Sequence, residues 1–169
     1  MWAVLALDVV CEQIGLRQLL QGEASRFAPH ISVLPRCLVN EEQLQTLRAV
    51  HLRYPMPFRA ELRGPKSIDE LLLWYECEND CAGYGALTAL HQQALRQTAQ
   101  SGIAPDKRYS GAEFRPHLTL RSGMQGPVEP SLPSTIWIKP CGIVIYTFED
   151  GTDAEVIRQI PTCTSLDIK

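Results

Sequence analysis

The sequence predicts an α+β fold of two pseudo-symmetric lobes, each a mainly antiparallel sheet with outer helices, around a central cleft. A strand–helix–strand unit occurs twice, at about residues 2–34 and 70–121, and in both copies the last strand begins with Pro-His. The chain has 169 residues, of which 45% are hydrophobic, and it lacks a linker long enough to separate independent domains. We therefore expect a single bilobal domain over residues 1–169.

The first copy opens with an apolar, β-branched run over residues 2–10, which predicts a strand covered on both faces. Leucines spaced by three and four positions then predict a helix over residues 12–22, because that spacing places them on one helix face. Residues 29–34 follow as a second strand, rich in β-branched side chains. Beyond this copy, Asn40 and Gln43 have the spacing of a capping box and predict the start of another helix.

The second copy follows a predicted strand over residues 58–63. Its own first strand, residues 71–77, is again apolar. Asp80 is of a type that caps helix N-termini, and it precedes a long segment with a helical apolar stripe. The strand of residues 116–120 then closes this copy. The order of elements is therefore the same in both copies.

The chain after the second copy differs from the chain after the first. Glycines and prolines recur across residues 123–134 and predict a loop where the first copy is followed by a helix. The apolar residues 135–139 and 142–148 predict two final strands. We expect these strands, together with the segment around residues 155–160, to complete the second lobe.

The strongest functional signal is a matched pair of motifs, Pro-His-Ile-Ser-Val at residues 29–33 and Pro-His-Leu-Thr-Leu at residues 116–120. Side chains alternate between the faces of a strand, so the imidazole and the hydroxyl of each motif share one face, about 6.6 Å apart. Two such strands facing each other would deliver two imidazoles and two hydroxyls into one cleft. The side chains concerned are His30, Ser32, His117 and Thr119.

These residue types fit the chemistry of a phosphate site. An imidazole exchanges protons near neutral pH, because its ordinary pKa is about 6.5. It can therefore act as a general base or a general acid, which makes His30 and His117 the candidate catalytic residues. The hydroxyls of Ser32 and Thr119 can donate hydrogen bonds to non-bridging phosphate oxygens, so we expect them to bind phosphate.

Positive charge is gathered around both motifs. Residues 24–40 and 104–123 each contain an excess of basic residues, whereas the whole chain has a net charge of −3. Arg115 and Arg121 alternate in phase with His117 along the predicted strand. Either arginine could therefore reach the cleft, and both are candidates for binding an anionic substrate.

Composition and segment lengths exclude several kinds of protein. The apolar run at residues 2–7 is broken by Asp8 and is far shorter than the roughly 20 residues of a membrane-spanning helix. No basic residue precedes this run and no cleavage-site pattern follows it, so it does not resemble a signal peptide. The net charge of −3 argues against bulk adhesion to nucleic acid. We expect a cytoplasmic monomer that binds no membrane.

The six cysteines do not by themselves indicate a disulfide framework. A chain of this length can be stable through burial alone, so reduced thiols are expected, and disulfide pairs stay open. Cys77 and Cys81 have no second cysteine or histidine pair at ligand spacing nearby, which disfavours a structural zinc site.

The motifs at His30 and His117 resemble the HxSx and HxTx motifs that define the 2H phosphoesterase superfamily, also called LigT-like or 2′-5′ RNA ligase-like proteins. The short second lobe is similar to that of the cyclic phosphodiesterase branch. The resemblance implies metal-independent hydrolysis, without a cofactor, of a cyclic phosphodiester such as a 2′,3′-cyclic nucleotide or RNA end, or of a 2′-5′ linkage. One imidazole would activate water and the other would protonate the leaving ribose oxygen, and the sequence leaves open which does which.

The resemblance also implies roles for neighbouring residues. Ser32, which replaces the commoner threonine, and Thr119 would hold the phosphoryl oxygens. Members of the superfamily often stack an aromatic side chain on a base, and Tyr146 is our candidate for that contact. Because the second lobe offers less covering surface, we expect a mononucleotide or a short RNA end as substrate.

Two other functions stay open. A nucleotide- or RNA-end-binding module could keep the same pocket without turnover. Metal-dependent hydrolysis through His30 and His117 would need a carboxylate at matching strand spacing, which the motifs lack. The remaining histidines, His51 and His91, are predicted on helices beside leucine stripes, where we expect packing or surface roles.

Overall fold

The computed structural model describes residues 1–11, 13–53, 58–68, 72–122, 132–149 and 155–158. Its strands are β1 Trp2–Cys11, β2 Gln21–Gly22, β3 His30–Leu38, β4 Ala60–Ile68, β5 Leu72–Glu76, β6 His117–Ser122, β7 Thr135–Phe148 and β8 Glu155–Arg158. Its α-helices are α1 Leu16–Leu19, α2 Glu41–Arg48 and α3 Tyr84–Thr98. Short 3-10 turns span Glu23–Arg26, Lys107–Tyr109 and Gly111–Glu113. Within these ranges no helix has both the length and the apolar character needed to cross a membrane.

The strands form one sheet in the order β2-β6-β5-β4-β7-β1-β3, with β8 paired to β7. Every pairing is antiparallel except that of β2 with β6. β7 is 14 residues long and pairs with β4 near its start and with β1 along the rest. It therefore joins the half of the sheet that contains β3 to the half that contains β6. The predicted antiparallel arrangement is confirmed, but as one continuous sheet.

The longer helices cover one face of this sheet. Leu5 and Leu7 of β1 point to that face and join the main core, to which α2 and α3 contribute leucines. Val4 and Ala6 alternate to the opposite face, where they form a smaller cluster with residues of β7. This second face is where the histidines lie.

The predicted capping box at the start of α2 is confirmed. The Asn40 side chain accepts a hydrogen bond from the Gln43 N–H at 2.9 Å, and the Asn40 N–H donates to the Gln43 side chain at 3.0 Å. Two of the otherwise unpaired N–H donors at the start of the helix are thus satisfied.

The predicted cap of α3 is wrong. Gly83, with φ of +86°, precedes the helix, and a Cβ added there would lie 2.7 Å from the Cα of Ala60. Only glycine fits this left-handed, closely packed position. Asp80 instead pairs with Arg63 at 3.0 Å.

The long helix predicted over residues 12–22 is also wrong. α1 is a single turn, Leu16–Leu19, and the chain then pairs as β2 with Arg121 and Ser122 of β6. The sheet therefore overrides the leucine spacing, which is a weak local preference.

The two final strands predicted from the sequence are one strand, β7. Gly142 lies opposite Asp8 and Pro140 lies opposite Val9, so Cys141 is an extra residue at a bulge. Proline lacks a backbone donor and is tolerated in a sheet at such a bulge. The predicted loop over residues 123–134 lies mostly outside the described residues.

Five cysteines lie in the described part of the chain, and all five are free thiols. Burial raises the pKa of Cys37 to about 11 and that of Cys77 to about 12. Their reactive thiolate form is therefore scarce at neutral pH, and they act as small core side chains.

Candidate active site

His30 and His117 occupy equivalent positions in two strand pairs. His30 opens β3 and lies opposite Asp8 of β1, and His117 opens β6 and lies opposite Glu76 of β5. Both pairs are antiparallel, so directly opposed side chains are close neighbours. Each imidazole therefore has a carboxylate on the adjacent strand.

The backbone around the two histidines is equivalent as well. The residue after each carboxylate donates its N–H to the carbonyl of the proline before each histidine. Val9 donates to Pro29 at 3.0 Å, and Cys77 donates to Pro116 at 2.8 Å. Each histidine is thus fixed at the point where its strand joins the sheet.

The two imidazoles are held in the same tautomer. Nδ1 of His30 lies 2.9 Å from the carbonyl oxygen of Ala28, and Nδ1 of His117 lies 2.7 Å from that of Arg115. A carbonyl oxygen only accepts hydrogen bonds, so Nδ1 carries a proton in both rings. The nitrogen that remains for proton exchange is Nε2 in both.

Burial lowers the pKa of both His30 and His117 below the ordinary value of about 6.5. The hydrogen bonds from Nδ1 and the charges of Asp8 and Glu76 act in the opposite direction but do not offset burial. A positive charge on His30 further lowers the pKa of His117. Protonation of His30 therefore disfavours protonation of His117, so the two titrations are coupled.

Aromatic side chains surround both imidazoles. The centroid of the His30 ring lies 5.5 Å from that of Phe27 and 5.0 Å from that of Tyr146. The His117 ring lies 4.3 Å from Trp74 and 5.7 Å from Tyr109. These contacts fix the ring orientations and provide the burial that lowers both pKa values.

The two carboxylates differ in what binds them. Asp8 accepts a hydrogen bond from the Tyr146 hydroxyl at 2.7 Å. Glu76 forms an ion pair with Lys66 at 2.9 Å, and Lys66 also contacts Glu78 at 2.6 Å. The strand geometry around the two carboxylates is therefore the same, but Asp8 is bound by a neutral hydroxyl and Glu76 by an ammonium group.

A cavity of about 200 Å³ brings the two motifs together, because His30 of the first and Thr119 of the second both line it. Aromatic rings and guanidinium groups form other parts of its wall, namely Phe27, Phe148, Arg26 and Arg36. The Arg36 guanidinium carbon also lies 3.8 Å from the centroid of the Trp2 ring. Such walls suit an anionic ligand with a flat apolar part.

Ser32 and Arg115 lie near the site but outside this cavity. Ser32 is half-buried on β3, opposite Ala6, and is not among the described residues that line the cavity. Arg115 is exposed and lines a neighbouring cavity of about 440 Å³ together with Glu76. Its carbonyl, rather than its side chain, contacts His117.

Two predicted ligand contacts are buried. Arg121 is 4% exposed. Thr119 lies opposite Trp74 and Arg121 lies opposite Leu73, so β6 has one extra residue between them. This residue reverses the alternation of β6 and turns Arg121 away from the face that Thr119 occupies. Tyr146 is 1% exposed, and its ring packs beside His30. Tyr146 therefore supports the His30 side of the site and offers no free face to a base.

Asp8 and Glu76 were not predicted as site residues. A signal was present, because each is an acidic residue near the end of the apolar first strand of its copy. Strand register, which sequence spacing alone does not fix, is what places them opposite the histidines. Phe27, three residues before His30, was missed because it lies between the 3-10 turn Glu23–Arg26 and β3, where no helix or strand pattern marks it.

The sequence matches the 2′-5′ RNA ligase superfamily over residues 8–140, a span that contains both histidine motifs. The chain therefore belongs to this superfamily, the 2H phosphoesterases. No curated protein matches it by sequence.

Several solved structures share the fold. A protein described as a phosphoesterase superposes with a TM-score of 0.59 at 18% identity, covering 94% of this chain and 95% of that chain. LigT of E. coli in complex with 3′-AMP gives a TM-score of 0.57 at 18% identity over the same shares of the two chains. LigT in its apo form gives 0.59 at 18% identity, over 95% of each chain. The fold is thus LigT-like.

Proposed function

We propose that this protein hydrolyses cyclic phosphodiesters, such as a 2′,3′-cyclic nucleotide or the cyclic end of an RNA, with His30 and His117 as general acid and base. The observation that carries the proposal is the pair of half-buried imidazoles, held in one tautomer on equivalent strands, with His30 of one motif and Thr119 of the other lining one cavity. Membership of the 2′-5′ RNA ligase superfamily supports phosphoester chemistry. The complexes of LigT with 3′-AMP and ATP support a nucleotide as ligand.

Hydrolysis requires one proton to be taken from water and another to be given to the leaving oxygen. Both transfers use Nε2, because Nδ1 is occupied in His30 and in His117. The neutral imidazole takes a proton from water as the water oxygen bonds to phosphorus. The protonated imidazole gives its proton to a ribose oxygen as the bond from that oxygen to phosphorus breaks. The product is a phosphomonoester, and the two rings have exchanged protonation states.

Because the two strand pairs are equivalent, either imidazole is placed to act as the base. We take them as related halves of a duplicated site, in which water attacks phosphorus from one side and the leaving oxygen departs on the opposite side. Either imidazole can then serve as base, and the identity of the leaving oxygen, 2′ or 3′, decides between them. Thr119, which lines the cavity, holds a non-bridging oxygen in this arrangement, and Ser32, at the equivalent position of β3, is proposed to hold the other.

The cavity beside His30 is proposed to hold the rest of the nucleotide. Phe27 and Phe148 provide apolar walls against which a base or ribose can pack. Arg26 and Arg36 place positive charge at the same cavity, where a further phosphate would be attracted. These cavity walls, rather than the buried Tyr146, are proposed to contact the base.

The test is turnover of the four 2′,3′-cyclic nucleotides, and of a short RNA with a 2′,3′-cyclic end, in excess chelator. His30→Ala and His117→Ala are each expected to lower kcat by about 10²- to 10⁴-fold, because each removes one proton-transfer group. His51→Ala is the matched control, since His51 is exposed and follows α2. Unchanged activity in either active-site variant would defeat the proposal.

The chelator and a binding measurement separate the alternatives. Activity that chelator abolishes and an added divalent ion restores would favour metal-dependent hydrolysis. Tight binding of a nucleotide 2′-phosphate without turnover of any substrate would favour a binding module that uses the same pocket.

A further inference from the structure

We propose that His91 is a positioning residue that sets the distance between the His30 strand and the His117 strand from the far side of the sheet. The expected effect of His91 on turnover rests on the proposed function. The expected effect of His91 on the spacing of the two strands does not. His91 lies on α3. Among the described residues it forms no hydrogen bond and no ring contact with His30 or His117.

Both ring nitrogens of His91 are used, although the residue is completely buried. Nδ1 lies 2.8 Å from the carbonyl oxygen of Val33, and Nε2 accepts the N–H of Gly111 at 2.9 Å. Because the carbonyl accepts and the amide donates, the ring is neutral with its proton on Nδ1. A buried imidazole bonded at both nitrogens fixes the separation of the two groups that it joins.

The first of these groups belongs to the His30 strand. Val33 follows Ser32 on β3, and Ser32 lies opposite Ala6 while Leu34 lies opposite Leu5. Val33 is therefore the extra residue of a β-bulge, at the edge of the sheet. The hydrogen bond from α3 holds β3 where its own pairing is irregular.

The second group, the N–H of Gly111, belongs to the segment that leads into the His117 strand. The His91 ring stacks on Phe114 with centroids 3.9 Å apart and an interplanar angle of 4°. Phe114 is 6% exposed and directly precedes Arg115, whose carbonyl fixes the His117 tautomer. Gly111, with φ of +62°, starts the turn that carries Phe114 into place.

Few side chains could replace this imidazole. Asparagine can place a donor near the Nδ1 position and glutamine an acceptor near the Nε2 position, but neither has a ring to stack on Phe114. Leucine fills similar volume and leaves the Val33 carbonyl and the Gly111 N–H without a buried partner. Each change would let one strand shift relative to the other. A misplacement of about 1 Å can cost about 10²-fold in rate when reacting groups must align.

The experiment compares His91→Asn, His91→Gln and His91→Leu with His51→Leu, which alters an exposed histidine outside the site. Thermal unfolding first establishes the temperature at which every variant is folded. Turnover of a 2′,3′-cyclic nucleotide is then measured well below it. We expect kcat to fall by about 10- to 100-fold in His91→Leu and by less in the amide variants, with KM changed by less than about threefold, because ground-state contacts are intact. His51→Leu should leave both constants unchanged.

A second readout does not depend on activity. NMR titration of the His30 and His117 imidazoles reports their mutual repulsion, which weakens if the rings move apart. We expect the influence of one titration on the other to be smaller in His91→Leu than in the wild type. A folded His91→Leu protein with wild-type kcat and wild-type titration curves would overturn the proposal.

The outcomes distinguish this proposal from the proposed function. If wild type and variants all lack turnover but the titrations change as expected, the function fails and the positioning role stands. If His91→Leu does not fold, the two amide variants decide, since each can keep one of the two hydrogen bonds. Loss of thermal stability alone, with unchanged kcat and titrations in those variants, would assign His91 a purely structural role.

Discussion

Asp8 and Tyr146 form a hydrogen bond of 2.7 Å that joins β1 to β7 beside the ring of His30. Burial and this bond both raise the pKa of Tyr146, so its hydroxyl stays protonated and donates to the carboxylate. The equivalent carboxylate in the other half, Glu76, is bound by the ammonium group of Lys66. One histidine therefore faces a carboxylate bound by a neutral donor, and the other faces one bound by a cation.

Replacing Asp8 with asparagine should lower the pKa of His30 further. The charge of Asp8 favours the imidazolium form, and the amide has no charge, so protonation becomes harder. NMR titration of the His30 ring measures the change directly. Glu76→Gln is the matched variant and should lower the pKa of His117 instead. A rise in either pKa would contradict the assigned electrostatics.

Tyr146→Phe should destabilise the protein by about 1.5–3 kcal/mol, because it removes a buried hydrogen bond to a charged group while keeping the ring. Urea unfolding measures the loss. Tyr75→Phe is the control, since the Tyr75 hydroxyl donates to the neutral carbonyl of Pro133 at 2.6 Å. We expect a smaller loss of about 1 kcal/mol there. Only Tyr146→Phe should alter the titration of His30, and an equal effect of both variants on it would count against the Asp8 contact.

Stability should fall as the pH drops below about 6.5, the ordinary histidine value. His30, His91 and His117 have lowered pKa values in the folded chain, so near pH 6 the unfolded chain binds protons that the folded chain does not. The free energy of unfolding therefore decreases by up to about 1.4 kcal/mol per pH unit for each such group. The loss begins near the ordinary value and stops below the folded-state pKa.

Urea unfolding at pH 7.5 and 5.5 checks this dependence. The carboxyls with lowered pKa, Glu78, Asp80 and Asp106, lose their stabilising effect only at lower pH, near and below their ordinary values of about 4. A free energy of unfolding that is constant or increases from pH 7.5 to 5.5 would contradict the histidine assignment.

Gly83→Ala should destabilise the protein by more than about 1 kcal/mol, the usual minimum cost of a strained backbone position. The new Cβ would lie 2.6 Å from the carbonyl oxygen of Arg59, and φ is +86°. Gly85→Ala, two residues on and with no atom within 4 Å of the added Cβ, is the control. It should be neutral or stabilise α3 by up to about 1 kcal/mol. Thermal unfolding of both variants settles the comparison, and equal stabilities would refute the packing argument.

The sequence predicted those features that depend on local pattern. The β-branched run at residues 29–34 predicted the strand that carries His30 and Ser32, and the spacing of Asn40 and Gln43 identified the start of α2. The repeated Pro-His order located both histidines at the start of a strand. These predictions needed no knowledge of which strand lies beside which.

The features that were missed depend on neighbours distant in sequence. Asp8 faces His30 because of the register between β1 and β3, and Arg121 is buried because of an irregularity between β5 and β6. The helix expected over residues 12–22 is shortened because part of it pairs with β6. Register and irregularity are set by the whole sheet, so leucine spacing and alternation alone could not supply them.

The unbroken course of β7 has a mechanical consequence. Its hydrogen bonds to β1 and to β4 tie the two sides of the sheet into one body. A hinge motion that opens and closes the cleft would have to rupture that ladder. We therefore expect a ligand to enter a preassembled groove, with adjustment on binding mainly in side chains and surface turns.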